Sequence, residues 1–208
     1  MKAYWWLPVS YFIGSVPTGL IVAKAIYHSD LRKLGSGNIG ATNVMRNFGV
    51  QPFLGVLAID MLKGVLAVQG AEALSLSRPL VLLAGLLSIV GHNWCIWLRF
   101  SGGKGIATSG GVIIAAFPWQ VIAVVIGVFL VVVAASRIMS AGSLSAAAAF
   151  PLSVAIYYRG SMGAEWSALA FSLVTAAFAF YRHRDNIRRL MRGEEPRISS
   201  GGKKGAAR

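Results

Sequence analysis

Six apolar runs separated by short, glycine-rich polar stretches leave this chain few folds to choose from. They lie at about Ala3 to Ile26, Phe48 to Ala71, Leu80 to Leu98, Ile106 to Ala135, Ser143 to Tyr158 and Glu165 to Tyr181. A bilayer core of about 30 Å takes roughly twenty apolar residues of helix, and inside it each backbone N–H and C=O must find its partner within the segment. The fourth run is too long for one crossing, because its roughly thirty residues would reach about 45 Å as a single helix. Phe117-Pro118 divides it, since proline removes a helical hydrogen bond. The expected fold is an all-α integral membrane protein of seven transmembrane helices. With 56% hydrophobic and 13% charged residues, no soluble domain is left over. One membrane domain is expected over 1–198, followed by a disordered basic tail at 199–208.

Basic residues in the loops orient the bundle, because they favour the cytoplasmic side. Seven crossings put Lys24, Arg32, Lys33, Arg46, Arg99, Lys104, Arg137 and the arginine-rich C-terminal stretch together. The opposite side receives Lys2, Glu72 with Arg78, and Arg159 with Glu165. Six crossings would separate the C-terminal arginines from the first loop. The N-terminus is therefore expected outside and the C-terminus in the cytoplasm. The first run sits where a signal peptide would, yet it has no Ala-x-Ala pattern and is expected to stay as a span interrupted by Pro8, Gly14, Pro17 and Gly19.

The same charge distribution argues against nucleic acid as a partner. The net charge of +13 is concentrated in membrane-flanking loops and the tail, where anionic lipid headgroups account for it. One cysteine, Cys95, excludes an internal disulfide, and His28, His92 and His183 stand too far apart for metal-ligand spacing. Neither a metal nor another cofactor is expected.

Three polar stretches remain to carry chemistry. Ser101 to Gly111 holds Lys104 among glycines, so that backbone N–H groups can converge on a phosphate while the lysine supplies charge. A helix beginning near Ile106 would add its free amides. Equally, the glycines could simply bend a loop between spans. The stretch lacks the spacing of a Walker A loop. Gly35 to Arg46 adds hydroxyls and amides, Ser36, Thr42 and Asn43 among them, with one guanidinium at Arg46. Its G-x-G-x-x-G pattern follows no strand and is not a dinucleotide fingerprint. His183 to Glu195 suits a helix leaving the membrane, with His183 and Asn186 on one face and arginines toward headgroups or a ligand. Within the second run, Asp60 and Lys63 share a helix face and are expected to form a structural ion pair. His92, near a helix end, is expected to be a satisfied hydrogen-bonding residue.

These motifs, GSGNIGATNVMR at 35–46, GH at 91–92 with FSGGKGIAT at 100–108, and HRDNIRRLMRGEE at 183–195, resemble those of bacterial acyl-phosphate:glycerol-3-phosphate acyltransferases, the PlsY family. The resemblance covers nearly the whole chain to about Ile198. It implies transfer of a fatty acyl group from a long-chain acyl phosphate to the 1-hydroxyl of glycerol 3-phosphate in the bacterial inner membrane, giving lysophosphatidic acid and inorganic phosphate. It further implies that Ser36, Arg46, Lys104, Ser143, His183 and Asn186 bind glycerol 3-phosphate, and that Thr42, Gly102, Gly103 and Gly105 cradle the donor phosphate. Asn43 is expected on the substrate-binding side of the first loop. The chain is expected to act as a monomer, with membrane lipid as its surroundings. Two positions depart from the pattern: Ser101 stands where a basic residue is common, and Cys95 where proline is.

An acyl phosphate is already activated, so such a site has mainly to align two substrates and stabilise charge. No Ser/His/Asp set is apparent, and no histidine is followed by an aspartate five residues on. A small anion transporter would also need broken helices and buried charge, but it predicts an internal repeat that the two halves lack.

Overall fold

The computed structural model describes residues 3–161, 163 and 165–198; the tail expected at 199–208 lies outside the described residues. The described chain is helical, with α1 at Trp6–Ser15, α2 at Thr18–Tyr27, α3 at Ala41–Phe48, α4 at Val50–Ala73 and α5 at Arg78–Asn93. Then follow α6 at Ile106–Ala116, α7 at Trp119–Ser136, α8 at Met139–Tyr157, α9 at Trp166–Arg182 and α10 at Arg184–Met191.

Five stretches are long and apolar enough to cross a membrane: Trp6–Tyr27, Val50–Ala73, Arg78–Leu98, Trp119–Ser136 and Met139–Tyr157. The thirty-residue run does divide at Pro118, which caps α7. Its first half, the 11 residues of α6, reaches only about 16 Å, well short of a bilayer core. Helix α9 has 17 residues and about 25 Å of length.

The outside of the bundle is oily. Ile21, Leu54, Leu66, Leu130, Val131 and Ile156 are all exposed, a surface that water would not tolerate and lipid requires. Inside, α1 packs on α5, α4 on α6, and α7 on α8. Lipid gives apolar helices no hydrophobic drive to associate, so close backbone approach has to supply the contact. Gly14 of α1 lies on the backbone of Ser88 in α5, and Gly111 of α6 lies on the backbone of Met61 in α4, each leaving no room for a Cβ.

The first span is broken. Val16 and Pro17 separate α1 from α2, and the chain repairs the gap from other helices. The Cys95 thiol donates to the Ser15 carbonyl at 2.9 Å, and the Lys63 ammonium donates to the Val16 carbonyl at 2.6 Å. Cys95, where the resemblance led to an expectation of proline, thus has a use that proline could not serve.

Two buried clusters hold the ends. One, containing Leu82, Val112, Phe117, Phe150 and Phe171, fills the space around the Pro118 turn. The other, with Leu20, Leu31, Ile39, Val44 and Val56, supports the loop between α2 and α3 and with it the polar cavity described next.

Candidate functional site

The loop before α3 is shaped by one side chain. Asn43, 2% exposed, donates from its amide to the carbonyls of Leu34 at 3.0 Å and Asn38 at 2.8 Å, and its oxygen accepts from the Ser36 amide at 3.2 Å. Gly35 and Gly37 take positive φ values of 55° and 69°, which lets the chain curl around that amide. The curl presents Ser36 and Thr42 to a cavity, while α3 carries Arg46 to its rim.

A second loop faces it from the end of α5. The Gly103 amide donates to the His92 carbonyl at 2.9 Å. The Arg182 guanidinium, at the end of α9, donates to the carbonyls of Gly102 at 2.7 Å and Gly103 at 3.0 Å. The His92 ring fills the space a Cβ at Gly103 would need. Helix α6 then starts at Ile106, as its free amides required, directly after Gly105 in the left-handed region.

The third wall is the C-terminal stretch. Lys104 donates to the Asn186 side-chain oxygen. Asn186 in turn donates to Glu195 at 2.6 Å, and Glu195 also accepts from Ser140 at 2.7 Å and from Arg189 at 2.7 Å. His183 Nδ1 lies 2.7 Å from the Ala179 carbonyl, which can only accept. Nδ1 therefore carries the proton and Nε2 is left as an acceptor.

The result is a cavity of about 190 Å³. Ser36, Thr42, Asn43, Arg46, Lys104, Gly105, Ser143, His183 and Asn186 all line it, although the ends of that set stand 150 positions apart in the chain. Gly102 and Gly103 do not line it; they pack on His92 and Arg182. The Asn43 amide is occupied with its own loop. Glu195, Ser140, Asp60 and His92 join the lining without having been assigned to it from sequence. The Asp60–Lys63 ion pair forms at 2.5 Å. His92, in contrast, stands 3.9 Å from Asp60, beyond hydrogen-bond range, so its ring is not satisfied in the way expected of a helix-end histidine.

Burial dominates the electrostatics. It lowers the Lys104 ammonium to about 8, helped by Arg189, Arg46 and Arg182 against the attraction of Glu195. Burial and then the Lys104 charge push His183 down to about 4, so its ring is neutral at pH 7. Arg46 is likewise lowered by burial. For Glu195 burial acts upward, but the hydrogen bonds from Ser140, Asn186 and Arg189 outweigh it and hold the carboxyl below its usual range. Lys104, Arg46 and Arg189 thus surround Glu195, and with the other lining carboxylate, Asp60, paired to Lys63, positive charge is left free for an anion. Phe53, Leu57 and Phe129 form an apolar side to the same cavity.

A family model described as glycerol-3-phosphate acyltransferase matches residues 4–193. "Glycerol-3-phosphate acyltransferase 2" of Moorella thermoacetica is 45% identical over 92% of this chain and 95% of its own length. The glycerol-3-phosphate acyltransferase of Paramagnetospirillum magneticum is also 45% identical, over 93% of this chain and 92% of its own. Among solved structures, PlsY (YgiH), an integral membrane glycerol 3-phosphate acyltransferase, superposes in its glycerol 3-phosphate form with a TM-score of 0.86 at 32% identity, covering 96% of each chain. Its lysophosphatidic acid form gives a TM-score of 0.82 at 30% identity, again over 96% of each.

Proposed function

Since the chain belongs to the glycerol-3-phosphate acyltransferase family, we propose that it transfers a fatty acyl group from an acyl phosphate to the 1-hydroxyl of glycerol 3-phosphate. The observation that carries this reading is the convergence of Lys104 and Arg46 with Ser36, Ser143, His183 and Asn186 on one cavity in a bundle of membrane-spanning helices. The glycerol 3-phosphate and lysophosphatidic acid forms of PlsY supply the substrate and product classes.

In the proposed reaction the 1-hydroxyl oxygen attacks the acyl carbonyl carbon. An ester C–O bond forms, the bond from that carbon to the phosphate oxygen breaks, and inorganic phosphate leaves with the hydroxyl proton. The donor's own phosphate is the base, so no protein nucleophile is needed. Lys104 and Arg46 neutralise the two phosphates, and the Gly105 turn with the first amides of α6 adds donors. Neutral His183 offers Nε2 as an acceptor that orients the glycerol hydroxyls. Thr42 contributes a hydroxyl beside the donor phosphate, and Gly102 and Gly103 shape the loop that carries Lys104. The acyl chain runs along Phe53, Leu57 and Phe129 toward lipid.

The protein is a multi-pass membrane protein. We place it in the bacterial inner membrane as a monomer of seven crossings, α6 and α9 completing the five long spans, with the N-terminus outside and the site at the cytoplasmic face. The test is phosphate release from palmitoyl phosphate by the purified protein. Release that needs glycerol 3-phosphate and is lost in Lys104→Ala supports the reading. A folded protein that uses neither palmitoyl phosphate nor palmitoyl-CoA refutes it.

A further inference from the structure

Asp60 and Lys63 are 1% and 4% exposed, deep in a membrane span. Burying two charges costs several kcal/mol per ion before their attraction is counted, and apolar residues of similar volume would pack there at least as well. The pair therefore calls for a purpose beyond stability. One end of it is structural: Lys63 holds the Val16 carbonyl at the break of the first span. The other end faces the site, since Asp60 lines the cavity and stands 3.9 Å from the His92 ring. His92 touches the Lys104 loop twice, through its carbonyl on the Gly103 amide at 2.9 Å and through its ring against the Gly103 Cα.

We propose that Asp60 and His92 are positioning residues for the acyl transfer. The Asp60 charge, held in place by Lys63, orients the His92 imidazole, and His92 sets the height of the Gly103 backbone and with it the reach of Lys104 into the cavity. This rests on the acyltransferase reading for its kinetic consequence but not for its structural one. Lys104 must stand correctly toward both phosphates at the transition state, where a displacement of about 1 Å can cost on the order of 100-fold. Ser36, Arg46, Ser143 and His183 hold glycerol 3-phosphate from other segments, so a displaced Lys104 lowers affinity less than it lowers kcat.

The experiment compares wild type with the charge-neutral double variant Asp60→Asn/Lys63→Gln and with His92→Gln, each checked for an unchanged melting temperature in detergent. If only the double variant melts early, His92→Gln alone decides. Two readouts are taken: kcat and KM for glycerol 3-phosphate with palmitoyl phosphate, and the rate of tryptic cleavage after Lys104. Positioning predicts a kcat at least tenfold lower with KM within about threefold, and faster cleavage because the loop has lost its support. Wild-type kcat and unchanged cleavage in a folded variant would overturn it and leave Asp60–Lys63 as a helix tie only. Should wild type itself release no phosphate, the acyltransferase reading falls, and the cleavage rates still decide whether Asp60 and His92 hold the loop.

Discussion

The Lys104 ammonium makes the mechanism depend on pH in a way that separates free from substrate-bound enzyme. Burial lowers it from 10.5 to about 8, which corresponds to about 3 kcal/mol of preference for the neutral amine. As pH rises through 8 the empty site loses its charge, and kcat/KM, which reports the free enzyme, falls toward a tenfold decrease per pH unit. Bound substrate reverses the balance. A phosphate charge about 4 Å away contributes about 4 kcal/mol at an effective dielectric constant near 20, more than the burial cost. Lys104 then stays protonated to higher pH, and kcat should remain level to about pH 9 while kcat/KM declines. His183, already lowered to about 4, stays neutral throughout and adds no inflection. The assay is steady-state phosphate release between pH 7 and 9.5 at several glycerol 3-phosphate concentrations, for wild type and for Lys104→Arg, whose charge does not titrate in this range. A flat kcat/KM profile in wild type, or the same decline in an active Lys104→Arg enzyme, would refute the assignment.

Glu195→Gln should cost about 1 kcal/mol of stability, because it removes the counter-charge of Arg189, whose own side chain is 36% exposed and is partly compensated by water; thermal unfolding measures it. The Glu195 carboxyl is lowered in the folded state, so its contribution is fully present above the ordinary value of 4.5 and lost as pH falls through the folded one. The variant should therefore lack that part of the acid-side loss. Gly111→Ala sets a Cβ against the Met61 backbone and should lower stability by about 1–3 kcal/mol by forcing α4 and α6 apart, whereas Gly127→Ala, at an open surface position, should not. Cys95→Pro should lower stability by about 1–3 kcal/mol, read as an earlier thermal unfolding, because it leaves the Ser15 carbonyl without its donor. The φ of −65° already suits proline, so the restricted unfolded chain returns only about 0.4–1 kcal/mol of that loss.

Hydropathy alone divided the chain at Pro118 and ended its helices close to where they end, since apolar length and proline act locally. The polar loops were legible for the same reason: Ser36, Arg46 and Lys104 stand in stretches whose composition has no use in lipid. Glu195 was not. Beside Glu194 and a run of arginines it reads as part of a solvated tail, and its partner Ser140 lies 55 residues away on another helix. Glycine marks a close approach without saying what approaches. At Gly102 and Gly103 the neighbours are His92 and Arg182, and nothing in the local sequence names them.

The break at Val16-Pro17 also sets an order of events during biogenesis. An unsatisfied carbonyl in hydrocarbon is costly; at this break the Val16 carbonyl accepts from the nearby Thr18 amide at 3.0 Å as well as from Lys63, whereas the donor to the Ser15 carbonyl is Cys95, synthesised eighty positions later. The first span therefore enters the bilayer unfinished. Until the third span leaves the ribosome behind it, water or the insertion machinery has to occupy the Ser15 carbonyl, and the break in the first span is completed only as the third arrives.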